Sequence, residues 1–134
     1  MKLFLYTHLN RLDRKGRVSV PADFRAVLAE QGFTNFAAFP SFKSAAIECW
    51  TPGRMEQLAA TLDELDLFSD QQDAYITTLF ANARPMTYDG EGRISLPEEF
   101  VRHAAITTDA LFIGRGRSFQ IWEPKAYERA EAPA

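Results

Sequence analysis

A single cysteine, Cys49, stands among 134 residues, so no intramolecular disulfide is available and the chain must hold together by burial. The two histidines, His8 and His103, lie far apart in sequence and fall in different expected elements, which argues against a histidine-based metal centre or catalytic base. No apolar run is long enough to span a membrane and no leader-like stretch opens the chain, so the expected compartment is the cytoplasm. Basic charge is not in excess either: a net −3 argues against a protein coated in positive potential. Low-complexity linkers are missing, so the parts should pack together rather than hang from a tether. Only Ala130 to Ala134 reads as a fraying tail.

What is present is repeated. Leu12-Asp13-Arg14-Lys15-Gly16-Arg17-Val18-Ser19-Val20-Pro21-Ala22-Asp23-Phe24 returns as Tyr88-Asp89-Gly90-Glu91-Gly92-Arg93-Ile94-Ser95-Leu96-Pro97-Glu98-Glu99-Phe100. Downstream, Ile47-Glu48-Cys49-Trp50-Thr51-Pro52 is echoed by Phe119-Gln120-Ile121-Trp122-Glu123-Pro124. A unit this short cannot bury its own apolar face, so two copies imply one pseudo-two-fold body. With 46% apolar residues and 11 phenylalanines, one compact core is within reach.

Charge is distributed unevenly. Residues 1–25 carry Lys2, Arg11, Arg14, Lys15, Arg17 and Arg25 against Asp13 and Asp23, a balance of +4, which leaves −7 for the remainder. That asymmetry suits a polyanion approached by one edge, and it is equally the product of charges gathering on solvated turns.

The element order follows from pattern. Met1 to Leu9 reads as a strand, Asp13 to Gly16 as a turn, and Val18 to Val20 as a short strand ended by Pro21. A helix spans Ala22 to Gln31 and closes at Gly32, and a hairpin runs over 33–50 with its bend at Pro40 to Ser44. Pro52 to Leu65 is a helix striped by Met55, Leu58, Leu62 and Leu65. Ser69 to Gln72 matches a capping box for a second helix, Asp70 to Asn82, with Ile76, Leu79 and Phe80 inward. The second copy repeats the scheme: strand 85–88, turn 89–92, strand 93–96, helix 97–105, a hairpin turned at Arg115-Gly116-Arg117, and a last short helix from Pro124.

Turn chemistry accounts for Asp13, Gly16, Asp89 and Gly92: the Asp side chain bonds backbone amides and Gly takes positive φ without strain. Two readings stay open for Arg17 and Arg93. Each either pairs with a carboxylate or projects a fork toward phosphate or a guanine edge. The first turn adds Arg14 and Lys15, with Arg11 just before it, whereas the second has Gly90 and Glu91.

Both motif copies, with Phe24-Arg25 and the matching Trp-x-Pro endings, closely resemble MraZ, a family of the AbrB-like (SpoVT-AbrB) superfamily of bacterial DNA-binding proteins. The resemblance covers nearly the whole chain. It implies an α+β, mainly β fold, in which two tandem AbrB-like swapped-hairpin repeats form a pseudo-two-fold β-barrel with flanking helices. The repeats would be 7–54 and 83–126, with linking helices over 55–82. It also implies a nucleoid-associated transcriptional regulator that binds double-stranded DNA at short direct repeats in the promoter of the division and cell-wall gene cluster, working as a closed ring of identical subunits. Its DNA-contacting motif maps onto Arg14, Lys15 and Arg17, with Arg11 as a neighbour. Arg93 holds the equivalent place in the second motif, which departs from a basic loop at Gly90 and Glu91.

No cofactor, metal, membrane or small-molecule substrate is called for by these residues. Cys49 reads as a buried small hydrophobe, and Trp50 and Trp122 as caps on the core of each half. Asp63, Glu64, Asp66, Asp70 and Asp73 lack calcium-loop spacing and read as a solvated face or subunit contact. The rival class is a ring-forming scaffold or a module binding RNA or protein. An enzyme stands third, since the motifs assemble no nucleophile and base.

Overall fold

A computed structural model describes residues 2–64 and 70–131. Its element order is β1 (Thr7–Arg11), β2 (Arg17–Ser19), α1 (Ala22–Glu30), β3 (Asn35–Pro40), β4 (Ile47–Trp50), α2 (Pro52–Asp63), α3 (Asp70–Phe80), β5 (Arg84–Thr87), β6 (Arg93–Ser95), α4 (Glu98–Ala104), β7 (Asp109–Gly114), β8 (Ser118–Trp122) and α5 (Pro124–Glu131). The class is α+β, with five helices against a six-stranded antiparallel sheet ordered β1-β7-β8-β4-β3-β5 and a two-stranded ribbon, β2-β6.

Strand pairing crosses between the two halves of the sequence. β1 pairs with β7 (Asn10 opposite Ala110) and β5 with β3 (Met86 opposite Phe36). Counterparts meet at two centres: Val18 opposite Ile94 in the ribbon, and Glu48 opposite Gln120 where β4 meets β8. Neither half completes the sheet with its own strands.

Alternation decides which face holds the core. Ile47 and Cys49 of β4, and Phe119 and Ile121 of β8, turn toward α1, α4 and the ribbon, where Phe4, Val18, Phe24, Leu28, Phe36, Ile94, Phe100 and Phe112 are also buried. Phe24 is the hub, with its ring centroid 4.9 Å from Phe119 and 5.4 Å from Phe4. Burying one such ring contributes about 2 kcal/mol. Cys49 sits in this core as expected, and burial raises its thiol pKa well above the ordinary value.

Trp50 and Trp122 do not cap that core. They share the opposite sheet face with Glu48 and Gln120: Trp122 packs against Tyr127 of α5 at 5.5 Å, and the Arg54 guanidinium of α2 lies 4.2 Å over the Trp50 ring. The reason is the period of two, which sends residues 48 and 50 away from 47 and 49.

Other boundaries also move. The first strand starts at Thr7 rather than Met1, because Tyr6 takes φ 73° and breaks the extended run, leaving Phe4 in an isolated bridge to Gly116. In α2 the striped residues Met55, Leu58 and Leu62 are only half-buried, and of the three residues expected inward in α3, Leu79 is buried while Ile76 and Phe80 are partly so. α5 continues through Ala130 to Glu131, where a tail was expected. Ser69, expected to cap α3, falls with Leu65 and Asp66 outside the described residues.

Candidate functional site

The two Asp-x-x-Gly-Arg turns are built by the same bonds. In the first, Asp13 Oδ1 accepts the backbone amides of Lys15 (2.9 Å) and Arg17 (2.8 Å), and Gly16 takes φ 79° to close the turn. Asp13 Oδ2 accepts Arg17 Nε at 2.8 Å. In the second, Asp89 Oδ1 accepts the amides of Glu91 and Arg93, both at 2.9 Å, Oδ2 accepts Arg93 Nε at 3.1 Å, and Gly92 takes φ 80°. Both carboxyls lie below the usual carboxylate range. The largest cause is the bond from the backbone amide of Arg17 or Arg93, respectively, partly opposed by desolvation.

The ribbon locks the turns together. Leu96 N donates to Gly16 O at 2.9 Å and Val20 N to Gly92 O at 2.8 Å, so each turn is fastened to the strand end of the other half. Of the two readings for Arg17 and Arg93, pairing with a carboxylate is present at both. Each spends its Nε on the turn Asp and keeps its terminal nitrogens beyond that bond.

The difference lies in the side chains that the turn does not consume. Arg14 and Lys15 are exposed, because the turn uses only the Lys15 amide, and Arg11 is exposed at the end of β1, opposite Asp109. Among the described residues none of these three makes an ion pair. In the second turn Arg93 Nη2 also lies 3.5 Å from Glu91 Oε2, so its own loop neutralises it further.

Arg25 of α1 belongs to the first motif copy but was not among the expected site residues. Its Nε donates to Val20 O at 3.1 Å, and its Cζ lies 2.6 Å from where a Cβ on Gly92 would sit. The signal in the sequence was the replacement of Arg25 by Val101 in the second copy.

Away from the turns, His8 faces Asp23 at 3.9 Å where the second half has the ion pair Arg84–Glu99, and His103 Nε2 meets Ser44 O at 3.0 Å. Asp63, Glu64, Asp70 and Asp73 are exposed. Among the described residues no helix is long and apolar enough to cross a membrane.

Cross-paired halves, each carrying an Asp-tied, arginine-bearing turn, define an α+β protein built on a duplicated sequence motif. The sequence model of the MraZ protein family matches residues 3–76 and 79–134. Relatives named "Transcriptional regulator MraZ" include those of Gluconacetobacter diazotrophicus, 47% identical over all of this chain and 87% of its own length, and Gluconobacter oxydans, 48% identical over 98% and 83%. A third, from Pelagibacter ubique, is 42% identical over 95% of this chain and 82% of its own. The chain belongs to the MraZ family.

Proposed function

We propose that this protein is a DNA-binding transcriptional regulator without catalytic activity. The observation that carries the reading is the first turn: Asp13 and Gly16 hold its backbone, which frees Arg14 and Lys15, with Arg11 beside them, to meet phosphates. The terminal nitrogens of Arg17 reach from the same turn toward a phosphate or base edge. Arg93 is the corresponding residue of a weaker second contact. The names of the relatives support the same class.

Residues 7–54 and 83–126 are, on this reading, AbrB-like repeats with exchanged hairpins that close a pseudo-two-fold barrel, linked by the helices of 55–82. Support comes from the crossed pairing of β1 with β7 and β5 with β3, and from a family match that falls in two stretches. One subunit offers few contacts, so affinity is gathered by a homo-oligomeric ring engaging several direct repeats at once. Exposed Leu3, Leu5, Tyr6, Leu9, Phe42 and Tyr75 supply apolar surface for such assembly. The sites are promoter boxes of the division and cell-wall gene cluster, and the protein is cytoplasmic and nucleoid-associated.

The test is binding to a duplex from upstream of the chain's own gene, against scrambled duplex and RNA of equal length, with a footprint to locate the repeats. Tight, salt-dependent binding to the native duplex is expected. Equal affinity for all three probes would favour the scaffold or RNA-binding alternative.

A further inference from the structure

We propose that Arg25 is a DNA-contact residue of the second turn, delivered there by the helix of the first half, so that the second turn also meets the phosphate backbone. This rests on the DNA-binding reading above. Taken alone, the second turn carries Asp89, Glu91 and Arg93, a net −1, which would repel phosphate. Its equivalents of Arg14 and Lys15 are Gly90 and Glu91, so nothing within the loop corrects the sign.

The correction arrives from α1. The Gly92 position leaves room for the Arg25 guanidinium: a Cβ there would stand 2.6 Å from Cζ, 2.7 Å from Nε and 3.0 Å from Nη1. Nε is anchored on Val20 O at 3.1 Å, at the strand end that also receives the Gly92 carbonyl. The anchor uses one of five donors, and among the described residues the guanidinium has no carboxylate partner. A half-buried, pre-oriented guanidinium loses less entropy on meeting a phosphate than a free surface side chain would. The arrangement is one-sided, since the counterpart of Arg25 is Val101. The first turn brings its own cations, and the second borrows one.

Salt titration separates this from a purely structural clamp. Arg25→Met and Arg25→Lys are compared with the native chain on the upstream duplex. Loss of one phosphate contact lowers the magnitude of the log–log salt slope by about 1 per bound subunit, with affinity falling about tenfold. Arg25→Met is expected to show that drop, while Arg25→Lys keeps the slope. A folded Arg25→Met variant with the native slope overturns the proposal and leaves the regulator reading intact. A native chain that binds no duplex overturns both. A second measurement needs no variant: the Arg25 guanidinium resonances of the native chain should shift on adding duplex, and unmoved resonances in a saturated complex overturn the proposal.

Discussion

Gln120 Nε2 lies 2.6 Å from Glu48 Oε2 at the middle of the six-stranded sheet, where the two halves of the chain meet. The positions are counterparts, and one half has a carboxylate where the other has an amide. Gln120 Oε1 in turn accepts Trp122 Nε1 at 2.8 Å, which makes a chain of three polar side chains on a mostly buried face. Restoring symmetry with Gln120→Glu would set two carboxylates against each other and leave the indole without its neutral acceptor. The variant should lose about 2 kcal/mol at neutral pH. Repulsion raises the folded pKa of the pair, so the stability present at low pH is lost as pH rises through that value. Thermal melts at pH 5 and pH 7 should therefore show a smaller deficit at the lower pH. A deficit that does not depend on pH would mean that the two carboxylates do not interact.

The repeat was legible because turn chemistry is local: Asp13 and Gly16, like Asp89 and Gly92, name their own conformation. Helix starts after Pro21, Thr51 and Pro97 were legible for the same reason. Long-range relationships were less so. Alternation along β4 separates Cys49 from Trp50, but which side is core depends on what packs there, and the tryptophans went to the other face. Tyr6 at φ 73° is a non-glycine in a glycine conformation, which no pattern announces. The Asp–Arg bond at each turn left the arginines undecided in sequence, since either reading needs the same residue. Arg25 could be placed only once α1 had been packed against the turn of the other half.

Two glycines near one another should respond differently to alanine. A Cβ on Gly114 would stand 2.6 Å from backbone atoms of Phe4 and Leu5, where the entering chain lies against β7. Gly116 has φ 83° but open space around it. Gly116→Ala should cost about 1 kcal/mol of conformational strain. Gly114→Ala forces two backbones apart and should cost about 3 kcal/mol or more. Denaturant midpoints of the two variants check the order, and equal losses would mean that the Phe4 bridge is dispensable.

Acid should loosen both turns together. The depressed carboxyls of Asp13 and Asp89 contribute stability that is present above the unfolded value of about 3.9 and lost as pH falls through the lower folded value. Asp13→Asn and Asp89→Asn remove that titration along with the charged partner of Arg17 or Arg93. Each variant should melt below the native chain at pH 7, and the gap should begin to narrow below about pH 4, as the unfolded chain takes up protons, and close as pH falls through the lower folded value. Melting curves from pH 7 down to pH 3 measure the gap. A constant gap would place the contribution of the Asp elsewhere than in its charge.

The proposed asymmetry of DNA binding can be measured cleanly because the turns are built alike. Arg17 and Arg93 each bond their own Asp through Nε and each follow a glycine near φ 80°, so truncating either to alanine should perturb its turn to a similar degree. What remains different is the setting: Arg17 stands with exposed Arg14 and Lys15, whereas Arg93 lies 3.5 Å from Glu91. Arg17→Ala is therefore expected to abolish specific binding, while Arg93→Ala weakens it without abolishing it. Lys15→Ala leaves the turn intact, because the carboxylate takes the Lys15 amide and not its side chain. Its effect should be a salt slope reduced in magnitude by about 1, with similar loss on native and scrambled duplex, as a phosphate contact requires. Equal losses for Arg17→Ala and Arg93→Ala in folded proteins would show that the two turns share the DNA evenly. In that case the basic side chains of the first turn would not be what distinguishes it.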